Sequence, residues 1–570
     1  MNLSWNIRLL RGPLRPFLVR KAVDAVRERL LVPRLRRLPT AWNVDRPLAE
    51  ALVPIPSDAW LRAHAHEVLA FARAMRDGRP GLPQVATWHV AASDPIDVDV
   101  RSVHELSRMH HWCAYALAAH IDAEHAQEWC TVLASEIASF ATTWPPEQGT
   151  HWAFPMGTAL RVHSMLVAWD WARRTGFVDE SMHRRVAALA LDHAESVWVR
   201  RERRGGLSTS HYAANLLGIL AVARYLPHES TSPERGAFAV HELRRELHRQ
   251  ILDDGMSNEA STGYHRQIVD TFVHARTLLG ADAEQAGWTA ADDTLVERAV
   301  ARCAQLERLG MPLIGDNDDG MAMKLTGFAA DCSYLYDLVR PQPIASLHMP
   351  SAGIYVFEQE RLRVTLHNGS VGQFGKGGHA HQDLNSVTVC VDGVAFIIDP
   401  GTSVYTQNAE LRNVERSVGM HATMWWDDVA QLDAPPGESG LFWLLDDRTQ
   451  VRVVDVAADG VTAEVRRRNG RVHQRRVEVR HGTLNVHDRC AGGPPATTWF
   501  PLHPDVTIEH IHDRSVRLCR GGVQCELSWN AGELSIDTIH VSPAFGRRQS
   551  SQRLILRGVS DLAWTFSPCA

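Results

Sequence analysis

The stretch SVTVCVDGVAFIID, residues 386–399, is the clearest indication of the fold in the second half of the chain. Valines occupy every second position from 387 to 391, which is the period of a β-strand with one buried face. Asp392 and Gly393 follow, and Asp-Gly favours a two-residue turn because both residues tolerate a positive φ. An apolar run then leads to Asp399. The stretch therefore predicts a β-hairpin.

The spacing of apolar residues changes along the chain, and this change predicts two domains. Between about residues 47 and 336, apolar residues recur at helical spacing and are separated by short polar connections. After about residue 345 the period falls to two, with Asp-Gly, Asn-Gly and Gly-Gly turns between short segments. We expect an α+β multidomain protein, with a helical domain over 47–344 and an antiparallel β-sandwich over 345–570.

Composition excludes several classes of protein. The chain has 570 residues, 45% hydrophobic and 22% charged residues, and a formal net charge of −6. It has neither the low hydrophobicity of a disordered chain nor the basic excess of a nucleic-acid-binding protein. The nine cysteines include no CxxC pair, so we expect mostly buried, reduced thiols.

The N-terminal segment 1–46 is a basic arm, with ten Lys and Arg but two acidic residues in its first 37 positions. It has no long apolar run, so we expect neither a cleavable signal nor a transmembrane segment. On that ground a cytoplasmic location is the default expectation. The arm is either a solvated pair of amphipathic helices or a surface for an anionic polymer or membrane.

Polar residues gather at the end of the predicted hairpin that lies away from its turn. His379 and His381 project to the same side of an extended segment, and Asp383 and Asp399 fall at the same end. His421 follows in the same domain. Two imidazoles and a carboxylate form a common zinc site, although isolated histidines are more often ordinary hydrogen-bonded residues.

Seven segments, in order along the chain, resemble the heparinase II/III-like polysaccharide lyases. They are VHELSRMHHW (103–112), MGTALRVHSMLVAWDWA (156–172), SHYAANLLGILAVARYL (210–226), DGMSNEASTGYHR (254–266), GGHAHQDLNS (377–386), IIDPGTSVYT (397–406) and RNVERSVGMHAT (412–423). The resemblance implies an incomplete (α/α) toroid joined to a β-sandwich. It also implies a groove for an acidic, uronate-containing polysaccharide, cleavage by β-elimination, and the periplasm as an alternative location.

The resemblance also assigns roles to residues. Tyr264 is implied to be both general base and general acid, with His379 and His211 assisting. A divalent metal is implied at His381, Asp399 and His421, and this ligand set favours zinc. The residues predicted to bind substrate or orient the site are Arg161, Ser210, Asn215, Glu259 and Arg266.

Other residues have competing interpretations. Ser210 stands where the family has Asn, and it is expected to cap the following helix. Trp152, Trp425 and Trp426 could stack on sugar rings, although most tryptophans must be core residues. Glu105 and Arg108 are expected to form a structural ion pair. The sequence GDNDDG (315–320) lacks the spacing of a calcium loop and is interpreted as an acidic turn.

Two other functions compete with a lyase. A glycoside hydrolase would need two groove carboxylates, for which Glu259 and Asp316 are candidates. A non-catalytic polysaccharide-binding or exopolysaccharide-assembly protein would keep the fold without the activity. The identity of the polymer and the oligomeric state leave no readable signal in the sequence.

Overall fold

The computed structural model describes residues 48–78, 99–203 and 207–569, with short pieces between 22 and 33. Apart from those pieces, the predicted basic arm lies outside the described residues. The described part of the N-terminal half is built mainly from helices. They span Asp58–Arg76, Val100–Ser107, His111–Ile121, Ala126–Thr143, Pro155–Arg173, Glu180–Arg200, Ser210–Tyr225, Ser232–Gln250, Thr262–Leu279, Ala290–Arg308 and Ser333–Leu338.

Two helices form the centre of the helical domain. Almost every residue of Pro155–Arg173 and Ser210–Tyr225 is buried, because these helices are covered by neighbouring helices on most sides. They approach closely where Gly218 faces Ala159: a Cβ at Gly218 would lie 2.8 Å from the Cα of Ala159. Glycine is therefore required at this crossing.

The C-terminal half consists of short strands joined mainly by tight turns. They are β1 Ile354–Gln359, β2 Leu362–His367, β3 Ser386–Val391, β4 Val394–Ile397, β5 Met424–Trp425, β6 Thr449–Ala457, β7 Gly460–Arg467, β8 Val472–Arg480, β9 Thr483–Ala491, β10 Ala496–Pro501, β11 Thr507–His512, β12 Ser515–Arg520, β13 Val523–Trp529, β14 Glu533–Val541, β15 Gln549–Val559 and β16 Asp561–Pro568. A short helix, Ala409–Glu415, lies between β4 and β5.

These strands form three antiparallel sheets within the described part of the chain. Their orders are β1-β2-β3-β4, β14-β15-β10-β5 and β11-β12-β13-β16-β9-β8-β7-β6. One apolar core joins all three sheets and contains side chains such as Val389, Val477, Phe500 and Leu554. The predicted α+β class, with helices followed by layered antiparallel sheets, is confirmed.

The predicted hairpin over 386–399 is also confirmed. β3 and β4 pair antiparallel, with Val391 opposite Val394. Asp392 has φ 52° and Gly393 has φ 77°, as a two-residue turn of this kind requires. The turn chemistry and the alternating valines agree, and together they fix the register.

The prediction that tryptophans stack on sugar is wrong for all three candidates. Trp152, Trp425 and Trp426 are each at most 1% exposed. Their indole N–H groups donate to the backbone carbonyls of Trp144, Val429 and Pro494. They are core residues, in keeping with the large apolar area that each one buries.

The loop 315–320 joins the helical domain to the β-domain. The Asn317 side chain donates to the carbonyl of Ser542 at 2.7 Å and accepts from the N–H of Thr402 at 2.9 Å. Asp316 N–H donates to the carbonyl of His379 at 3.0 Å. The acidic turn is therefore a buried interdomain connection, not a solvated loop. Among the described residues, no helix is long and apolar enough to cross a membrane.

Candidate active site

Asp316 is the centre of a buried polar cluster between the two domains. Its carboxylate accepts from His379 Nδ1 at 3.0 Å, from His381 Nε2 at 2.9 Å and from Thr402 Oγ1 at 3.1 Å. Arg412, on the helix Ala409–Glu415, binds both carboxylate oxygens with its guanidinium. Burial opposes ionisation of Asp316, but Arg412 and the two histidines outweigh it and hold its pKa well below the usual range.

Tyr264 lies directly beside this cluster. It sits in the first turn of the helix Thr262–Leu279, where its N–H donates to the capping side chain of Ser261 at 3.1 Å. Its hydroxyl donates to Asp318 Oδ2 at 3.1 Å and lies 3.3 Å from the hydroxyl oxygen of Tyr405. Burial raises the pKa of Tyr264 well above its usual value, and the nearby carboxylates raise it further. The phenol is therefore protonated in the free protein near neutral pH.

His379 stacks on the ring of Tyr264, with the two ring centroids 3.5 Å apart. A carboxylate can only accept, so the contact with Asp316 places a proton on His379 Nδ1 and leaves a lone pair on Nε2 in the neutral imidazole. Glu259 Oε2 lies 3.7 Å from that Nε2. The domain interface thus places the phenol of Tyr264 against the imidazole of His379.

His381, Asp399 and His421 form the cluster that the sequence predicts. All three are buried, and one potential ligand atom from each lies within 4.8 Å of the others. His381 uses Nε2 toward Asp316, and His421 uses Nδ1 toward Asp399 at 2.8 Å. The other nitrogens, His381 Nδ1 and His421 Nε2, are buried without a hydrogen-bond partner. Carboxylates therefore fix both tautomers and leave two lone pairs, as a metal site requires.

Asp383 is a further acidic group close to this cluster. Both of its carboxylate oxygens are buried without a hydrogen-bond partner, although His367 Nδ1 lies 3.1 Å from Oδ2. Burial opposes its ionisation, but His367, His421 and His381 lower its pKa to about 2. The ionised Asp383 carboxylate therefore lies beside the predicted ligands.

The predicted capping role of Ser210 is wrong. The helix starts at Ser210 itself, and Thr209 occupies the N-cap position without a side-chain capping bond. The Ser210 hydroxyl is buried and has no partner, whereas its N–H donates to Glu259 Oε1 at 3.2 Å. Gln373 donates to the other oxygen of Glu259 at 2.6 Å. Glu259 therefore links the start of this helix to the loop that carries His379.

His211 is the most accessible of the predicted catalytic residues. Its side chain is 41% exposed, and its Nδ1 donates to Glu202 Oε1 at 2.9 Å. Asn215, one turn further on, is buried and accepts from the Glu202 N–H at 2.8 Å. The two residues share a face, as their spacing predicts. Asn215 supports Glu202, and Glu202 in turn orients His211.

Arg161 has no contact with these residues in the structure. Its guanidinium donates to the carbonyls of Ser107 and His151, both at 2.9 Å, and to His193 Nε2 at 2.9 Å. It is fully buried, and burial lowers its pKa to about 9. We therefore correct its predicted role: this arginine is enclosed within the helical domain and is not presented to a polymer.

Arg266 also lies apart from Tyr264 and His379. It lines a different cavity, between the helical domain and the sheet β1-β2-β3-β4.

The expected ion pair between Glu105 and Arg108 is present at 2.7 Å. The same carboxylate is 3.3 Å from Arg101, which also pairs with Asp318. That structural network therefore ends at Asp318, which accepts the hydrogen bond from the Tyr264 hydroxyl.

Three residues of the candidate site were not predicted from the sequence. Asp318 and Tyr405 contact the Tyr264 hydroxyl, and Arg412 fixes Asp316. In the sequence, only their positions could have indicated them. Tyr405 lies within the family-like segment 397–406, Arg412 begins the segment 412–423, and Asp318 lies in the acidic turn 315–320. The carboxylates proposed for a hydrolase, Glu259 and Asp316, are both fully buried and occupied by hydrogen bonds.

Two family models match the chain. The family model described as "Heparinase II/III N-terminus" matches residues 86–300, and "Heparinase II/III-like, C-terminal" matches residues 341–565. Together they cover most of the chain. The chain belongs to the heparinase II/III-like family, which confirms the predicted resemblance and the predicted class of enzyme, a polysaccharide lyase.

Solved structures show the same architecture. A heparinase III crystal structure aligns with a TM-score of 0.67 at 13% identity, over 98% of this chain and 92% of that chain. The heparan sulfate lyase HepC from Pedobacter heparinus aligns with a TM-score of 0.56 at 16% identity, over 98% and 91%. At these identities the likeness establishes the fold, an incomplete toroid followed by a β-sandwich. No curated protein sequence is significantly similar to the chain.

Proposed function

We propose that the protein cleaves a uronate-containing acidic polysaccharide by β-elimination at the interface between its two domains. The observation that carries the proposal is the contact between Tyr264 and His379, which places a protonated phenol beside an imidazole with a free Nε2. Elimination needs such a pair, because a proton leaves C5 and another is delivered to the departing O4.

The tautomer of His379 and the pKa of Tyr264 favour a different residue for each of the two proton transfers. The resemblance implies both steps for Tyr264, but burial and the neighbouring carboxylates make its ionised form costly. His379 Nε2 accepts the C5 proton, the electron pair of that C–H bond forms the C4–C5 double bond, and the C4–O4 bond breaks. The Tyr264 hydroxyl protonates O4. No water is added.

Recognition of the uronate carboxylate falls to the cationic and polar groups near this pair. His211 is exposed and is oriented by Glu202, so it is the proposed partner of the carboxylate.

Gln373 and Phe374 follow on the loop before His379. Phe374 is 39% exposed with φ 57°, an uncommon conformation for a bulky residue, and Arg249 lies 4.6 Å above its ring. We assign this exposed aromatic, instead of the buried tryptophans, to sugar contact.

The proposed metal is a divalent ion, with zinc favoured by the ligand set, held by His381 Nδ1, His421 Nε2 and Asp399. A bound ion would supply a fixed positive charge that holds the loops of the β-domain. Asp316 connects this centre to the proton acceptor, because its two oxygens contact His381 and His379 separately.

The test is incubation with a panel of uronate-containing polysaccharides while near-ultraviolet absorbance is followed. A good substrate should yield the absorbance of an unsaturated uronate. The same polymer after reduction of its carboxylates should not be cleaved, because the C5 proton is acidified only by an adjacent, neutralised carboxylate. Equal turnover of the reduced polymer contradicts elimination, and binding without cleavage of every polymer supports the non-catalytic alternative.

A further inference from the structure

A cavity of about 440 Å³ lies between the four-stranded sheet and the helical domain. One wall is the outer face of that sheet, where Arg363, Thr365 and Thr388 project away from the sandwich core. The facing wall is formed by residues 309–313, which follow the helix Ala290–Arg308, and by Ala330. Tyr264 and His379 do not line it, although Asp399, one of the predicted metal residues, lies in its wall.

Most of the lining is apolar. Leu309, Met311, Leu313, Ile397 and Val541 all contribute to the walls. The volume falls in the range of ordinary small-molecule sites, which are mainly hydrophobic with a few fixed polar groups. A ligand with an apolar body of one or two rings, or of comparable size, therefore matches this lining.

The polar groups give the cavity a positive character. The Arg266 side chain makes no hydrogen bond or ion pair with any residue that the structure describes, and its Nε is buried without a partner. Arg363 has its closest carboxylate, that of Glu358, at 3.7 Å. The acidic lining residues are already engaged: Asp319 accepts from Arg101 at 2.7 Å, and Asp399 binds His421.

We propose that this cavity binds a small organic anion with an apolar body, whose carboxylate or sulfonate pairs with Arg266. An unpartnered, partly buried guanidinium is unfavourable until an anion satisfies it. Arginine also presents a planar fork that matches such groups. The inference does not rest on the proposed lyase activity, because no residue assigned to proton transfer takes part.

Two fluorescent probes with the same ring system test the site. Anilinonaphthalenesulfonate carries the anionic group, and N-phenylnaphthylamine lacks it. The wild-type protein should bind about one sulfonate probe per chain, at least ~10-fold more tightly than the neutral probe, since a charge-assisted hydrogen bond is involved. Arg266→Met should remove this preference. Arg448→Met, which removes an exposed arginine elsewhere, should retain it.

A second variant tests the location of the probes. Thr388→Trp places a large ring into the cavity from a strand position that suits aromatic residues, and should abolish binding of both probes. Thermal unfolding of each variant identifies any that is misfolded, in which case the comparison of Arg266→Met with Arg448→Met decides alone. Absence of sulfonate binding to the wild type overturns the proposal. So does an unchanged preference in Arg266→Met, or undiminished binding to well-folded Thr388→Trp.

Discussion

Two buried clusters in this protein contain the same residue types. One surrounds Asp316 at the domain interface, and the other surrounds Asp488 within the eight-stranded sheet. Asp488 accepts from His473 Nε2 at 2.8 Å, from Arg475 at 2.7 and 2.9 Å, and from the indole of Trp564 at 3.1 Å. Each cluster is thus an aspartate held by histidine and a bidentate arginine, with no exposed carboxylate.

The clusters differ in what remains unpaired. His473 and Arg475 come from one strand, β8, and the remaining Arg475 nitrogen donates to the carbonyls of Asn385 and Ala422. Around Asp316, the partners come from loops and a short helix, and His381 Nδ1 lacks a partner. Burial and charge pairing alone therefore do not mark a functional site. At the domain interface the Asp316 cluster keeps unused imidazole lone pairs, and we expect the function there.

The largest expected effect is on stability, in the Asp488 cluster. Asp488→Asn leaves the buried Arg475 charge without its counter-ion, so we expect the free energy of unfolding to fall by about 3–5 kcal/mol. Denaturant unfolding of the two proteins measures the difference. A loss below about 1 kcal/mol would show that this cluster is not the structural member of the pair.

The pH dependence of that loss gives a check on its cause. Burial opposes ionisation of Asp488, but Arg475 and His473 depress its folded-state pKa strongly. A depressed pKa contributes stability that is present above the unfolded value, about 3.9, and is lost as pH falls through the folded value. The difference between wild type and Asp488→Asn should therefore shrink below about pH 4.

The next effect is on catalysis, in the Asp316 cluster. Tyr264→Phe keeps the ring that stacks on His379 but removes the proton donor, so turnover should fall by at least ~100-fold with unfolding unchanged within about 1 kcal/mol. Tyr212→Phe is the matched control, because Tyr212 is also a buried helical tyrosine that donates to a carboxylate, Glu242, at 2.9 Å. Near-wild-type turnover in Tyr264→Phe would refute the assignment.

Metal binding is the next difference that we expect between the two clusters, because only the Asp316 cluster adjoins a predicted metal site. We expect about one divalent ion per chain, and His381→Ala should weaken its affinity by at least ~10-fold, since even residues beyond the ligands have effects of that size. The melting temperature should fall with the metal content, because metal binding stabilises the folded state. His510→Ala, at an exposed histidine, is the control. Elemental analysis that finds a stable, metal-free wild type contradicts the predicted site.

The smallest effect is expected at Ser210. Its hydroxyl is buried without a partner, and only its N–H contacts Glu259, so Ser210→Ala should change the free energy of unfolding by no more than about 0.5 kcal/mol. Turnover should stay within about two-fold of wild type, because the hydroxyl contacts no group that is assigned to proton transfer. A large loss of turnover at full stability would place the hydroxyl in the reaction.

Local patterns predicted the hairpin, because the Asp392-Gly393 turn and the alternating valines act within a few residues. The predicted metal residues converge as the resemblance implies. The role of Asp316 could not be predicted, since His379 and His381 lie 63 and 65 positions away and Arg412 lies 96 away. Arg161 was misassigned because its helix is buried on nearly every side, and no periodicity distinguishes its core face from a groove face.

The most direct test of elimination at this interface is the origin of oxygen in the products. After a brief digestion in oxygen-18-labelled water and immediate borohydride reduction, which stops exchange of the new reducing-end oxygen with water, the new ends should contain no label. The fragment masses before reduction should sum to the mass of the parent without an added water. This result should hold for every product of the wild-type protein and should disappear with activity in Tyr264→Phe. Incorporation of one labelled oxygen per cut would mean hydrolysis and would contradict the account.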